Sequence, residues 1–267
     1  MDVFVLGHRG MLGHVVCRYL SEQGIRVVTS DERYTAAAVD PLVGTVRESE
    51  CPWVVNAIGL IKQKSVDAAA LMRINAQLPA QLKAQLKPFQ RIIHPSTDCV
   101  FSGKSGGYGR KDHCDATDDY GFSKLLGEAP AELGRFQVFR TSIIGPELSR
   151  GHGLMGWFLR QTTEVKGFVN HRWNGITTLE WAKLCGEYIA GRLVPADEVV
   201  QFGTTSAVSK FELLQMVRGR WEHPINIVPV NAPDSIDRTL VPDLQCKPID
   251  QQLRELREWV GDPPSLQ

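Results

Sequence analysis

The sequence predicts an α/β fold: a Rossmann-type parallel sheet with helices on both faces, plus a smaller C-terminal lobe. Three observations carry this. The chain opens on an apolar strand that runs into GHRGMLG and then into an amphipathic helix. Further short apolar segments recur without polar alternation, the pattern of strands buried on both faces. Helical stretches separate them, and alternating strands and helices make a parallel sheet.

The elements follow in order. Val3 to Leu6 read as a buried strand, and apolar residues at 12, 15, 16, 19 and 20 mark a helix that Gly24 ends. IRVVTS (25–30), CPWVVNAIG (51–59), RIIHPSTDCVF (91–101) and RFQVFRTSIIG (135–145) are further strands. Helices are expected over 66–86 and 120–133, with Pro79 and Pro130 shortening or kinking them. Residues 1–146 would form the dinucleotide-binding domain. Residues 147–267 would be mainly a substrate-binding lobe, partly interleaved with the first. In that lobe TTLEWAKLCGEYIAGRL, SKFELLQMVRGRW and PIDQQLRELREWV read as helices, VVQFG and INIVPV as short strands. SGKSGGYGRKD (102–112), glycine-rich and basic, reads as a mobile surface loop.

Composition excludes several classes. At 267 residues and 43% hydrophobic, the chain can bury a large core. Thirty basic residues balance thirty acidic ones, so net charge points to neither nucleic acid nor membrane. No apolar run reaches membrane-spanning length, and the N-terminus enters a strand directly, which makes the cytoplasm the expected location. The six cysteines show no CxxC pair and no zinc spacing; reduced thiols and no metal site are expected.

Gly7, Gly10 and Gly13 fit a dinucleotide loop between strand and helix. The first permits the turn, the second lets a pyrophosphate approach bare backbone, and the third lets the helix pack on the sheet. Met11 and Leu12 complete the loop. Arg9 can reach a ribose 2′-phosphate, with Ser30 and Arg33 at the tip of the second strand; together they favour NADPH, while Asp31 keeps NADH open. Asp40 could meet the adenine or cap a helix.

Tyr120 and Lys124 lie four apart on a helix and share a face. The ammonium is expected to lower the phenol pKa, so that the tyrosine can protonate a carbonyl receiving hydride. Thr97, at the end of a neighbouring strand, can hydrogen-bond the same oxygen.

GHRGMLG, STDCVF and YGFSK together resemble the extended short-chain dehydrogenase/reductase superfamily, and most closely the dTDP-4-dehydrorhamnose reductases. Their usual pattern is close to STDYVF, YGxSKxxGE and FRTS; this chain reads STDCVF, YGFSKLLGE and FRTSIIG. The resemblance spans essentially the whole chain and is weakest after residue 146. It implies Thr97, Tyr120 and Lys124 as the catalytic triad. Ala57, Ile58 and Gly59 would line the cofactor, and Thr141 and Ser142 would lie near the nicotinamide. The opening loop also resembles GDP-L-fucose synthase, in which a cysteine at the Cys99 position works with a histidine in epimerisation; His152 is the candidate here. The resemblance further implies a nucleotide-diphosphate sugar substrate bound by the C-terminal part, with His171, Trp173, Asn174 and Arg238 as candidate contacts and Trp157 as either a contact or a packing residue, and it is compatible with a homodimer; Lys62 and Gln63, at a strand's carboxyl end, are placed to touch the hexose. Nucleotide-sugar 4,6-dehydratases are set aside, because Cys99 stands where they usually carry a glutamate.

Three functions follow as expectations. The first is NADPH-dependent reduction of the C4 ketone of a nucleotide-linked 4-keto-6-deoxyhexose. The second adds epimerisation through Cys99 and His152. The third is a dinucleotide-binding regulatory subunit without turnover, against which an intact Thr97, Tyr120 and Lys124 argue.

Overall fold

The computed structural model describes residues 1–62, 67–148 and 151–261. Its first half comprises β1 (Asp2–Leu6), α1 (Gly13–Glu22), β2 (Arg26–Val28), α2 (Pro41–Glu48), β3 (Trp53–Asn56), α3 (Ala68–Met72), α4 (Leu78–Gln85), β4 (Arg91–Ser96), α5 (Asp119–Glu128) and β5 (Phe136–Arg140). The second comprises β6 (Ile143–Ile144), α6 (Leu154–Leu159), β7 (Val165–Phe168), β8 (His171–Trp173), β9 (Ile176–Thr177), α7 (Thr178–Ile189), β10 (Val199–Thr204), β11 (Val208–Ser209), α8 (Lys210–Arg220), β12 (Ile227–Val230), β13 (Ile236–Asp237), β14 (Leu244–Cys246) and α9 (Ile249–Val260).

Among the described residues, seven strands form one parallel sheet in the order β14-β10-β5-β4-β3-β1-β2. The chain leaves β1 outward to β2 and returns on the other side to β3. That reversal opens a crevice at the carboxyl ends of β1 and β3, where sheets of this kind bind ligands. Alternate residues feed opposite cores, because strand side chains have a period of two. Val3, Val5, Val55 and Ile93 pack with α1 and α7, whereas Phe4, Leu6, Val54 and Ile92 pack with α2 and α4. A third core holds Met155, Phe158, Trp173, Leu213 and Leu253 beside the small sheets β11-β8-β13 and β12-β7. Helix α9 joins two cores, giving Leu256 to the first and Leu253 to the third.

The prolines act as their chemistry requires. Pro79 has no N–H to bond the carbonyl four residues back. The helix answers with a wide π turn over Arg73–Gln77 between α3 and α4. Helix α5 stops at Glu128, two residues before Pro130 and short of the expected 133. Residues 102–112, expected to be mobile, are anchored instead. Tyr108 is buried, stacks on Phe101 at 4.4 Å, and accepts N–H groups of Gly103 and Ser105 at 3.1 Å. Arg110 is paired to Asp197 and Asp243. Glycine and charge suggested motion there, but a single buried aromatic decides.

Helix α5 is locked to the sheet by a buried ion pair. Arg140 donates to both Glu128 oxygens at 2.9 and 2.5 Å, with side chains only 4% and 7% exposed. Ser96 donates to the same carboxylate and Gln201 accepts from Arg140, so four elements meet there. Removing one member strands the other charge in a dry interior. Glu128→Gln should therefore lower unfolding stability in urea by about 3 kcal/mol or more; a loss within measurement error would show that the pair does not hold the helix.

Candidate active site

The sheet register sets the site. Leu6 lies level with Asn56, and Ser96 with Arg140. The residues that follow, Gly7, Ala57, Thr97 and Thr141, therefore emerge on one edge. A cleft of about 300 Å³ opens there, lined by Gly10–Leu12, Ala57–Lys62, Thr97, Cys99, Tyr120, Lys124, Thr141, Ser142 and His152. The structure thus gathers the glycine loop and the Tyr120–Lys124 motif, 114 positions apart from Gly10 to Lys124, into one wall.

Thr97 caps the 3-10 turn Asp98–Val100, accepting the Cys99 N–H at 3.2 Å and donating to Asp98 at 3.0 Å. Asp118 caps α5 by accepting from Gly121 N at 2.8 Å. Gly121 allows the close approach: a Cβ there would lie 2.1 Å from the Cys99 carbonyl oxygen. The first turn of α5 is thereby pressed onto the Thr97 turn, which brings the Tyr120 phenol within electrostatic reach of the Thr97 hydroxyl.

The electrostatics correct one expectation. The Tyr120 phenol is pushed up by burial first and by Cys99, Asp98 and Asp118 after it, against the downward pull of the nearby Thr97 hydroxyl. The bonds of Lys124 lie elsewhere. Its ammonium is turned to the Pro95 carbonyl at 2.6 Å and to His94 at 3.5 Å, and burial pulls it down to about 8. Sequence spacing put both side chains on one face, but the lysine stem reaches the sheet rather than the phenol. Burial likewise pushes the Cys99 thiol up to about 12.

The glycine loop forms a cradle. Gly7 has a φ of +74°, and a Cβ on Gly13 would lie 2.1 Å from the Gly7 carbonyl oxygen. Gly13 thus serves by packing α1 onto the loop, and no side chain caps that helix's amino end. Its backbone N–H groups can meet a pyrophosphate. A second cavity adjoins it, lined by Gly7–Gly10, Ser30–Arg33 and Ala57–Gly59. Arg9 reaches across to Asp31 at 2.8 Å, and His8 lies 3.4 Å from the same carboxylate. Asp40 takes no part: 1% exposed, it caps α2 and accepts from Thr35 N, Thr35 Oγ1 and Val43 N. Its acceptor capacity is spent locally, which removes it as an adenine contact.

On the substrate side, Lys62 lines the cleft and donates to Asp118 at 3.3 Å. Arg238 bonds the Phe101 carbonyl through Nε at 2.9 Å and is close enough to act electrostatically on Cys99 and Asp118. Asn174 is a correction. It is buried, donates to the Thr204 and Leu240 carbonyls and accepts from Leu240 N, so it clasps the lobe to the sheet rather than meeting a ligand. Trp173 is buried in the third core, His171 faces the Asp234 carbonyl, and Trp157 is exposed on α6. Gln63 lies outside the described residues.

Three residues went unread in the sequence. Asn75, on the π turn, bonds both backbone groups of Leu60 and donates to Ser123, tying the cleft loop to α5. Lys210, at the start of α8, holds its ammonium 5.2 Å from the Trp173 ring and within electrostatic reach of Asp98 and Cys99. His94 is buried beneath Lys124. Only the break before Pro79 hinted at the first.

Known proteins share this architecture. A dTDP-4-dehydrorhamnose reductase from Clostridium acetobutylicum superposes with a TM-score of 0.80 at 16% identity, covering 97% of this chain and 99% of that one. The Bacillus anthracis dTDP-4-dehydrorhamnose reductase, solved in complex with NADP, gives 0.82 at 17% identity, covering 96% and 98%. At these identities the likeness speaks for the fold. In sequence, a probable low-salt glycan biosynthesis reductase of Haloferax volcanii is 32% identical over 143 residues, 48% of each protein, so the match spans about half the length of that relative. The RmlD substrate binding domain pattern matches residues 1–262, and the chain belongs to that family.

Proposed function

We propose that this chain is an NADPH-dependent ketoreductase that reduces the C4 ketone of a nucleotide-linked 4-keto-6-deoxyhexose in deoxysugar biosynthesis for cell-surface polysaccharide. The observation that carries the reading is the single cleft in which Thr97, Tyr120 and Lys124 face the loop after β1 and the loop after β3. The named relatives point the same way: reductases of dTDP-4-dehydrorhamnose, one with NADP bound, and a glycan biosynthesis reductase.

The chemistry divides between cofactor and chain. Bound NADPH would supply the hydride. Gly10, Met11 and Leu12 would hold its pyrophosphate on the amino end of α1, and Ala57–Gly59 would flank it. Arg9, Ser30 and Arg33 would meet the 2′-phosphate once Arg9 turns from Asp31. Tyr120 gives its proton to O4 as negative charge develops there. The phenol holds its proton at neutral pH, and the upward shift from burial makes it a weaker donor than an exposed tyrosine until charge develops on the neighbouring oxygen. Thr97 turns its hydroxyl from Asp98 to the same oxygen. Lys62 and Arg238 offer cations to the diphosphate.

A second reading adds epimerisation, favoured by one observation: Cys99 and His152 line the same cleft. The raised thiol pKa weighs against Cys99 as a base in the empty site. Cys99→Ser separates the two. Simple reduction predicts unchanged product stereochemistry by NMR, and loss of an inverted centre with reduction retained would establish the bifunctional enzyme.

Tyr120→Phe should reduce kcat by ~10²-fold or more while NADPH still binds by fluorescence titration; near wild-type turnover would remove Tyr120 as the donor. Arg9→Ala should cost about tenfold in kcat/KM with NADPH and little with NADH. Equal efficiency of the parent with both cofactors would remove the 2′-phosphate assignment.

A further inference from the structure

One buried group beneath the proposed catalytic helix has no part in the mechanism above. His94, on β4, is 1% exposed. Its ring lies against Phe136, with centroids 5.6 Å apart. Nε2 is 3.5 Å from Lys124 Nζ, and Nδ1 is 3.2 Å from the Asn56 side-chain amide. Asn56 and His94 point to the same face of adjacent parallel strands, with Asn56 one residue beyond the Val55–Ile93 pair.

Counting protons assigns the tautomer. An ammonium has donors only, so Nε2 must accept and carry no hydrogen. The imidazole is neutral, since burial and the neighbouring ammonium both disfavour a second positive charge. Its one hydrogen is then on Nδ1, facing Asn56. The Asn56 Oδ1 is buried with no partner; a half-turn of the amide gives it that Nδ1–H to accept.

Lys124 needs an acceptor. Burial has already lowered its basicity, and Glu128 on the same helix is the charge that raises it. Glu128 is itself shared with Arg140 of β5. From β3 and β5, Asn56 and Phe136 bring no charge to this spot. Two acceptors meet the ammonium directly, the Pro95 carbonyl and His94.

We propose that His94 is a positioning residue: fixed as the Nδ1–H tautomer by Asn56, it offers Nε2 to Lys124 and so keeps the ammonium charged and in place at the floor of the cleft. This rests on the reading of Lys124 as part of the reductase machinery, yet its test needs no substrate. Imidazole ¹⁵N spectra of the ligand-free protein, with the His94 signal assigned by loss in His94→Gln, should show a protonated Nδ1 and a bare Nε2 between pH 6 and 7, where Lys124 is an ammonium. The ε-carbon of Lys124 should titrate about one unit lower in His94→Leu, the size of a lost bond to a charged group. His94→Asn, which matches Nδ1 but falls short of Lys124, should behave like His94→Leu. His94→Gln, whose amide oxygen reaches the Nε2 position, should restore the parent titration. An Nε2–H tautomer, or one titration curve shared by the Asn and Gln variants, would overturn the proposal, and that pair decides even if the Leu variant fails to fold. A normal NMR result with no ketoreductase activity would count against the function alone.

Discussion

The active-site wall depends on the buried pair of Glu128 and Arg140. Bringing two charges out of water costs several kcal/mol each, and attraction offsets this only with good geometry and satisfied remaining groups. Here the geometry is bidentate, and Ser96 and Gln201 take up further bonding capacity. The pair fastens the end of α5 to β4, β5 and β10. The other end of that helix bears Tyr120, and Lys124 sits between. With one end clamped by charge and the other pressed close through Gly121, the helix has little freedom to slide along the sheet.

Burial acts on Tyr120, Cys99, Lys124 and the underlying His94 in the same sense, toward the neutral form. The Tyr120 phenol and the Cys99 thiol go up, while the Lys124 ammonium and the His94 imidazole go down. A floor of this kind keeps acids protonated, which suits donation to an alkoxide better than abstraction of a carbon-bound proton. It also gives weight to the few hydrogen bonds that stabilise charge there, because a bond to a buried ion counts for more than one in water.

Legibility followed the range of the interaction. The strands around 3–6, 51–59, 91–101 and 135–145 were readable because burial on both faces leaves continuous apolar runs. The cleft residues were readable where backbone geometry imposes residue type, as at Gly7, Gly10 and Gly13. Asp40 was left between adenine contact and helix cap, and Asn174 was read as a ligand contact, because a polar side chain carries the same letter whether it meets a ligand or a backbone amide. Which it meets depends on Thr35 and Val43 in one case, and on Thr204 and Leu240 in the other.

By itself the sequence determined the parallel sheet, the glycine cradle and the helical pairing of Tyr120 with Lys124, since all three follow from local periodicity and backbone sterics. Only the tertiary structure decided where the long side chains point. Lys124 runs to Pro95 and His94 instead of the phenol, Arg9 crosses to Asp31, and Tyr108 pins a loop that glycine content would set free. A long side chain with several rotatable bonds takes its direction from whichever partner the fold brings within reach, and that partner is distant in sequence.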